Sequence, residues 1–289
     1  MLPWAVFGTK LLTQKQNDKM AIMSYALLDS GGEKKLERFG PYVLIRPSPT
    51  ALWPQHAARK WDAHAEFTRE GKWSGSLPQE WVIDTHGIKL KLKPTDFGHL
   101  GFFPEHAHFW PRFSSLCQGN KNPKILNLFA YAGGATIVLA KLGANVCHVD
   151  ASKGMVRWAR ENAILNQVTD RSIRWIVDDV PQFLKKEVRR GVRYDGIILD
   201  PPSFGRGNKG QVFKVERDIL PLLALCSQLL SEEPLFCLLT SHTPLFSPKV
   251  LHALIATSFA TKSIDTGEML IPSNAGHSLP AGSYALWTK

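Results

Sequence analysis

The sequence of 289 residues predicts an α/β protein in which a smaller β-rich region precedes a mostly parallel sheet covered by helices. From Lys124 onward, apolar runs of strand length alternate with helical stretches, a pattern typical of a parallel sheet. Residues 1–115 instead contain six of the nine tryptophans, frequent Pro and Gly, and short runs of alternating polarity. We therefore expect a β-rich region over residues 1–94 and an α/β domain over residues 95–289.

Within the β-rich region, residues 81–93 predict a hairpin with a turn at residues 85–87. Its second strand places three apolar residues on one face and three lysines on the other: Ile88, Leu90 and Leu92 against Lys89, Lys91 and Lys93. This lysine row fits a solvated face that protects a sheet edge and, equally, a ridge that faces nucleic acid. The tryptophans of the region fit packing in a core better than stacking on bases.

In the α/β domain, strands and helices alternate along the chain. The predicted strands cover residues 124–129, 145–150, 173–177, 194–200 and 235–241, with a last strand at 283–287. The predicted helices cover residues 134–142, 153–166, 180–190 and 215–230, and Ser152 caps the second. Because the carboxyl ends of parallel strands meet at one edge of a sheet, the residues that end four strands should surround one crevice. These residues are Phe129, Asp150, Asp178 and Asp200.

The turn after the first predicted strand consists mainly of small residues, which let a ligand approach the backbone closely. It comprises Ala130, Tyr131, Ala132, Gly133 and Gly134 and leads directly into a helix. The three-glycine fingerprint of a dinucleotide-binding protein is missing, which argues against a nicotinamide-dependent reductase. Asp150 lies 17 residues after Gly133, close to the offset of about 20 at which an acid binds a ribose hydroxyl pair. This spacing indicates a cofactor that contains adenosine.

Two acids, Asp178 and Asp179, end the third predicted strand. At this position a carboxylate or its backbone can hold the amino group of an adenine. Each acid could instead cap the helix that follows, and this alternative has particular weight for Asp179.

The segment DPPSF, residues 200–204, ends the fourth predicted strand. Its two prolines donate no backbone hydrogen bonds and form a rigid turn. The Asp200 carboxylate and the Pro201 carbonyl should therefore be held in fixed positions above the strand end. Such a pair of acceptors suits the amino group or ring N–H of a planar base, on which Phe204 could stack.

Together these segments resemble the class I S-adenosylmethionine-dependent methyltransferases, and within them the group that contains the 23S ribosomal RNA large-subunit methyltransferases. The resemblance covers residues 95–289 and rests on DFGHLGFFPEHAHFW (96–110), NLFAYAGGATIVLAKLGA (127–144), VDASKGMVRWARENAILN (149–166), DDVPQFL (178–184) and DPPSFGRG (200–207). It implies a Rossmann-like domain with a mostly parallel seven-stranded sheet. It also implies S-adenosylmethionine as cofactor and RNA as partner, with ribosomal RNA among the candidates.

The resemblance assigns a cofactor site to Phe103, Phe129, Ala130, Tyr131, Gly133, Asp150, Ala151, Ser152, Asp178, Asp179 and Asp200. Residues 129–133 would lie against the methionine part of the cofactor, and Asp150 would bind its ribose. The acids at 178 and 179 would frame the adenine. The segment GFFPEH, residues 101–106, resembles the part of the family that closes over the cofactor.

One position departs from the relatives that methylate carbon 5 of cytosine. They carry a nucleophilic cysteine just after the fifth strand, where this chain has His242. Because carbon-5 methylation uses a thiolate that attacks the ring, direct transfer to a nitrogen or oxygen fits better. The predicted catalytic residues are Asp200, Pro201, Phe204 and His242, and no metal is required. His242 could take up a proton, position the substrate or only bond to the backbone at a strand end.

The amino-acid composition limits the chemical class of the binding partner and the cellular compartment of the protein. The formal net charge of +10 favours a polyanionic partner. Basic residues that could flank the crevice, besides the lysine row, are Lys185, Lys186, Arg189, Arg190, Arg193, Arg206 and Lys209. Four cysteines without a CxxC spacing fit buried thiols in a cytoplasmic protein, and no apolar run is long enough to span a bilayer. The alternatives are a methyltransferase that acts on a protein or a small molecule, and a non-catalytic RNA-binding module.

Overall fold

The structure, a computed structural model, describes residues 24–56, 60–206, 210–260 and 263–289. Residues 1–23, which hold one of the six N-terminal tryptophans, lie outside the described residues, as do Lys209 and the side chain of Arg206. No helix within the described ranges is long and apolar enough to cross a membrane.

The N-terminal region is β-rich, as predicted. Its five-stranded sheet consists of β1 (Tyr25–Gly31), β2 (Lys34–Phe39), β3 (Tyr42–Pro47), β4 (Ala65–Phe67) and β5 (Trp73–Gly75), in that spatial order. Neighbouring strands are antiparallel except for β3 and β4, which are parallel. The predicted hairpin follows as β6 (Trp81–Thr85) and β7 (Ile88–Leu92).

A 3-10 segment (Pro104–Phe109) and α1 (Trp110–Leu116) lead into the α/β domain. Its sheet contains β8 (Lys124–Leu128), β9 (Asn145–Asp150), β10 (Ile173–Val177), β11 (Gly196–Leu199), β14 (Phe236–Ser241), β15 (Ser263–Ile271) and β16 (Leu279–Thr288). The spatial order is β10-β9-β8-β11-β14-β16-β15, and β16 runs antiparallel to both of its neighbours. The expected Rossmann-like fold with a mostly parallel seven-stranded sheet is therefore confirmed.

The helices that follow are α2 (Gly134–Lys141), α3 (Lys153–Leu165), α4 (Val180–Arg189), α5 (Val215–Gln228) and α6 (Pro248–Ser258). The first four begin and end close to the predicted positions. The sequence pattern does not locate α6, β15 or the short strands β12 (Phe204–Arg206) and β13 (Val212–Lys214). Most residues of β15 are only partly buried or exposed, so this edge strand lacks the apolar run by which the central strands are recognised.

Side chains of α3 cover the backbone edge of β7. Asn162 Oδ1 accepts a hydrogen bond from the Lys91 backbone N–H at 2.8 Å. Asn166 Oδ1 accepts one from the Lys89 backbone N–H at 2.9 Å, and its amide donates to the carbonyl of the same residue. The edge of the hairpin is therefore satisfied by amide side chains rather than by another strand.

The predicted lysine row is largely neutralised by acids. The Nζ atoms of Lys91 and Lys93 both lie within 3.5 Å of carboxylate oxygens of Glu80 and Glu161. This pairing favours edge protection over a ridge that faces nucleic acid. The tryptophans of the region likewise serve the fold, since four of them donate the indole N–H within the chain: Trp53 to Ser30, Trp61 to Asp29, Trp73 to Thr95 and Trp81 to Phe39.

One buried apolar cluster joins the N-terminal region to a face of the large sheet. It includes Phe39 and Ile83 from the first and Phe109, Ile125 and Phe236 from the second, all of them almost fully buried. Full burial of each such side chain contributes about 1.5–3 kcal/mol. The two regions are therefore stabilised together, while the boundary between residues 94 and 95 stays a prediction.

Candidate active site

The predicted crevice lies where the order of the sheet reverses. Strands β8 and β11 are neighbours, and the chain continues from them in opposite directions, to β9 on one side and to β14 on the other. A crevice opens at the carboxyl ends of the strands at such a point. A cleft of about 660 Å³ lies there, within the size range of sites for small molecules.

Most of the predicted site residues come together in this cleft. Its lining includes Phe103, Phe129, Tyr131, Asp150, Ala151, Ser152, Asp179, Asp200, Pro201 and His242. Ala130 and Gly133 line a smaller adjoining cavity of about 80 Å³. The structure places Asp178 and Phe204 outside the lining of both.

The loop after β8 adopts a backbone conformation that few side chains tolerate. Phe129 and Tyr131 have φ angles of +53° and +51°, and Gly133 has a φ angle of +86°. A left-handed conformation of a residue other than glycine costs about 1–3 kcal/mol and persists only where its surroundings hold it. Such strain is typical of loops that contact a ligand through their backbone.

Asp150 is one of the groups that hold this loop. Its Oδ2 accepts a hydrogen bond from the Tyr131 backbone N–H at 2.9 Å, and its Oδ1 accepts one from the Ser152 N–H at 2.8 Å. Burial raises the pKa of this carboxyl, although both hydrogen bonds act in the opposite direction. Each oxygen keeps a second lone pair, so the carboxylate can also accept hydrogen bonds from the two hydroxyls of a ribose.

The segment before α1 forms one wall of the cleft. The Gly101 backbone N–H donates to the Tyr131 hydroxyl at 3.1 Å, and the ring of Phe103 lies 5.2 Å from that of Tyr131. Gly101 has a φ angle of +95°, and a Cβ atom there would lie 2.2 Å from the ring of Trp158. Only glycine therefore fits this position, which brings Phe103 over the loop after β8.

The two acids after β10 have different roles. Asp178 accepts hydrogen bonds from Lys186 Nζ at 2.5 Å and from the Asp179 N–H at 3.0 Å. Asp179 caps α4, because its Oδ1 accepts from the Gln182 N–H at 3.2 Å, and it also lines the cleft. Asp179 therefore caps the helix, as the alternative interpretation of the sequence predicted. The contact of both acids with an adenine stays a prediction.

Asp200 lies at the centre of a polar cluster drawn from three segments. Its Oδ1 accepts a hydrogen bond from the Thr240 hydroxyl at 2.7 Å. Its Oδ2 lies 3.5 Å from His106 Nε2 and 3.6 Å from His242 Nε2. The two Nε2 atoms are 3.2 Å apart, and His242 Nδ1 lies 2.8 Å from the carbonyl oxygen of Ala281.

Burial and neighbouring charges shift the pKa values of Asp200, His106 and His242. Burial lowers the pKa of His106, which favours its neutral form. Burial also acts to lower the pKa of His242, but Asp200 and Glu105 outweigh it and raise this pKa to about 9. Although burial alone would raise the pKa of Asp200, the two imidazoles hold it well below its usual range. The cluster therefore pairs a carboxylate with a protonated and a neutral histidine near pH 7.

The DPPSF turn reaches the cleft with its first residues. Pro201 is buried and lines the cleft, and the hydroxyls of Ser203 and Thr243 form a 2.8 Å hydrogen bond that ties the turn to the end of β14. Phe204 begins β12 and is 51% exposed. Its predicted stacking on a base therefore stays a prediction.

The thiols lie away from the cleft. Cys237 is completely buried within β14, and burial raises the pKa of its thiol well above the usual value. A thiol of this kind does not supply a thiolate nucleophile. All four cysteines are buried and free, as the spacing indicates.

Sequence reasoning missed three members of the Asp200 cluster. His106 and Glu105 lie in the GFFPEH segment, and Thr240 lies at the end of β14. Glu105 Oε1 is 3.6 Å from His242 Nδ1, and its Oε2 is buried without a hydrogen-bond partner among the described residues. The segments are distant in the sequence, so no spacing rule signals that they meet.

Comparison with known proteins connects the chain to RNA methyltransferases. A family model described as RNA cap guanine-N2 methyltransferase matches residues 122–260. The ribosomal RNA large subunit methyltransferase K/L of Shewanella sp. (strain ANA-3) is 28% identical over 199 residues, which is 67% of this chain and 27% of that protein. The protein of the same name from Shewanella amazonensis is 34% identical over 218 residues, which is 74% of this chain and 30% of that protein. The chain thus spans less than a third of the length of these relatives.

Solved structures resemble a larger part of the chain. The crystal structure of the S-adenosylmethionine-dependent methyltransferase from Agrobacterium tumefaciens is 33% identical with a TM-score of 0.86, covering 91% of this chain and 90% of that chain. SMU.776, named as a methyltransferase and complexed with S-adenosylhomocysteine, is 20% identical with a TM-score of 0.73, covering 92% and 75%. At this identity the second similarity concerns the fold alone.

Proposed function

Because the chain belongs to the S-adenosylmethionine-dependent methyltransferases, we propose that it methylates a base in RNA by direct transfer, with ribosomal RNA as the first candidate. The observation that carries the proposal is the Asp200 cluster at the switch point of the sheet, in a cleft whose described lining contains no cysteine. Direct transfer needs an oriented lone pair and a dry site rather than a nucleophile of the enzyme.

The cofactor part of the cleft fits S-adenosylmethionine, which supplies the methyl group as a sulfonium. The strained loop at residues 129–133 exposes backbone groups, and Asp150 offers two carboxylate oxygens beside it. We propose that Asp150 binds the ribose hydroxyls and that the loop contacts the methionine moiety. Asp179 and Val180 line the adjacent wall, where we place the adenine.

The acceptor part of the cleft is organised by Asp200. Its carboxylate stays ionised at neutral pH, so it can accept a hydrogen bond from an amino or ring N–H of a base and orient the acceptor lone pair. With its raised pKa, His242 holds a proton in the free protein, which fits a positioning role better than that of a base. Neutral His106 is the group that can take up the proton released after transfer.

Two observations support RNA as the acceptor. The named relatives that cover two thirds or more of this chain act on ribosomal RNA, and the matching family model describes an RNA methyltransferase. The formal net charge of +10 favours association with a polyanion. The four free thiols fit a reducing compartment, and we propose the cytoplasm as the place of action.

The test is methyl transfer from labelled S-adenosylmethionine to total RNA that lacks modifications, followed by mass spectrometry of the nucleosides. We expect label in an N-methyl or O-methyl nucleoside, lost after nuclease treatment, retained after protease treatment, and decreasing steeply with salt. A labelled 5-methylcytidine would overturn direct transfer. Label that survives nuclease, with weak salt dependence, would move the acceptor to a protein or a small molecule. If the protein binds RNA but not S-adenosylmethionine, the result would support the alternative of a non-catalytic RNA-binding module.

A further inference from the structure

Three side chains in the cleft bring one possible metal-donor atom each close together. The atoms are His106 Nε2, His242 Nε2 and Asp200 Oδ2, with separations of 3.2, 3.5 and 3.6 Å. A point equidistant from three atoms at these separations lies about 2.0 Å from each, which agrees with zinc–nitrogen and zinc–oxygen bond lengths of about 2.0–2.2 Å. The three groups therefore have the spacing of ligands around one transition-metal ion.

Hydrogen bonding accounts for only one of the three separations, the one between the two imidazoles. N–H···O hydrogen bonds have donor–acceptor distances of about 2.7–3.2 Å, whereas both imidazole–carboxylate contacts are longer. The two imidazole nitrogens, 3.2 Å apart, form a hydrogen bond when one ring carries a proton on Nε2, and a bound ion would replace this bond. Neutral imidazole Nε2 and a carboxylate oxygen are also the donor types that zinc prefers after thiolate.

The groups around the cluster orient these donor atoms as a second shell orients metal ligands. His242 Nδ1 faces the Ala281 carbonyl at 2.8 Å, so the Nδ1 carries the hydrogen and the lone pair of the neutral ring lies on Nε2. The Thr240 hydroxyl donates to Asp200 Oδ1 and leaves Oδ2 free to coordinate. This pattern fixes two of the three ligands in a coordinating geometry.

We propose that His106, Asp200 and His242 form a binding site for one divalent transition-metal ion of the zinc class. The side chains are 21–34% exposed, so an ion can enter from the cleft. Three protein ligands leave a fourth position open toward the cleft, as in zinc sites that bind an exogenous ligand. The site is independent of the proposed methyl transfer, because it requires neither cofactor nor RNA.

An ion in this site would occupy the oxygen that we assign to the methyl acceptor. Bound Zn²⁺ would coordinate Asp200 Oδ2 and so remove it as a hydrogen-bond acceptor for a base. We therefore expect Zn²⁺ to inhibit methyl transfer over the same concentration range in which it binds. Because this inhibition depends on the proposed methyl transfer, the metal site itself is tested by metal binding.

The test is a titration of the full chain, first treated with EDTA, with Co²⁺ and then with Zn²⁺. We expect one Co²⁺ per chain with the visible absorption of a four-coordinate ion, and complete displacement by one Zn²⁺. His106→Ala and His242→Ala should each weaken Zn²⁺ binding by at least about 100-fold, since each removes one of three protein ligands. His108→Ala is the matched control, since His108 lies in the same 3-10 segment but is exposed and outside the cluster, and it should bind like the parent protein.

A second measurement needs no substituted protein. In proton NMR of the histidine rings, one equivalent of Zn²⁺ should shift the signals of two of the ten histidines and leave the others unchanged. Absence of stoichiometric binding would overturn the proposal. Stoichiometric binding that survives both alanine substitutions, or that shifts other histidines, would also overturn it.

Discussion

A cluster of charged side chains in the N-terminal sheet and the cluster around Asp200 in the cleft are built differently. In the N-terminal sheet, Glu37 is fully buried and accepts hydrogen bonds from Arg46 Nε at 2.7 Å, Arg46 Nη2 at 2.8 Å and the Tyr25 hydroxyl at 3.0 Å. In the cleft, Asp200 accepts one short hydrogen bond from Thr240, and its other oxygen has only contacts of 3.5–3.6 Å. We call the Glu37 cluster closed, because both carboxylate oxygens accept short hydrogen bonds within the chain. We call the Asp200 cluster open, because one carboxylate oxygen accepts none within the described part of the chain.

This difference distinguishes charged side chains that stabilise the fold from charged side chains that can still bind a ligand. A buried carboxylate such as Glu37, both of whose oxygens accept short hydrogen bonds from within the chain, stabilises its neighbours and is closed to a ligand. Arg46 also donates to the Gly98 carbonyl, which ties the closed cluster to the segment before the cleft. An incompletely bonded carboxylate at a strand end retains acceptor capacity for a substrate or an ion.

The largest expected effect on activity comes from removing the carboxylate of the open cluster. Asp200→Ala should lower the rate of methyl transfer by at least about 100-fold, because the acceptor loses the group that orients it. The Kd for S-adenosylmethionine should stay within about 3-fold, because the proposed cofactor contacts of the ribose and the methionine moiety lie elsewhere in the cleft. Single-turnover kinetics and calorimetry provide the measurements. Full turnover in this variant would remove Asp200 from the acceptor site.

The largest expected effect on stability comes from removing the carboxylate of the closed cluster. Glu37→Ala leaves the Arg46 guanidinium buried without its carboxylate, and we expect a loss of about 3–5 kcal/mol in the free energy of unfolding. Glu33→Ala is the control, because its ion pair with Arg69 is exposed and should contribute less than about 1 kcal/mol. Urea denaturation of both variants measures the difference. Equal losses would show that the closed cluster is no more stabilising than a surface pair.

A smaller effect concerns Asp150, which combines features of both clusters. It is bonded to the backbone like a structural acid, yet it lines the cleft. Asp150→Ala should weaken cofactor binding by about 1–3 kcal/mol through loss of charge-assisted hydrogen bonds. Asp178→Ala, which loses a carboxylate turned toward Lys186, should have a smaller effect. Calorimetry with S-adenosylmethionine tests both, and an unchanged affinity for Asp150→Ala would remove it from the ribose site.

The last expected effect, small near neutral pH, is a pH dependence of stability that arises from another buried polar group, His148. His148 is fully buried, and burial with some help from Arg160 lowers its pKa to about 3. Below pH 6.5 the unfolded chain protonates this imidazole while the folded chain does not, so stability is lost as the pH falls toward 3. The loss attributable to this group should approach about 1.4 kcal/mol per pH unit between pH 6 and 4.

The control for this dependence is His148→Gln, which cannot be protonated. The gap in unfolding free energy between parent and variant, measured by urea denaturation at several pH values, should narrow as the pH falls. A constant gap would mean that His148 is protonated in the folded chain.

Much of the fold follows from local patterns in the sequence. The central strands are short and mostly apolar, and four of the helices have clear signals such as the Ser152 cap, which accepts from the Met155 N–H. The site at the strand ends also follows, because parallel topology alone brings Asp150 and Asp200 to one edge. These inferences need no knowledge of side-chain geometry.

The remaining features depend on contacts between distant segments. His106 and His242 are separated by 136 positions, and nothing local signals that their rings meet. The pairing of Asp178 with Lys186 is a choice among several partners that the helix offers. The left-handed conformations of Phe129 and Tyr131 are likewise imposed by tertiary structure, since neither residue type favours them.

The covered edge of β7 also determines when the N-terminal region can finish folding. The groups that satisfy Lys89 and Lys91 lie 77 and 71 positions later in the chain. During synthesis, which proceeds from the N-terminus, the hairpin therefore emerges with an open edge that stays exposed until α3 has been made. An exposed edge can pair with another nascent chain, so the interval between hairpin and helix is the period of greatest risk of aggregation. A ribosome pause in this interval should lower the yield of soluble protein more than one placed after residue 166.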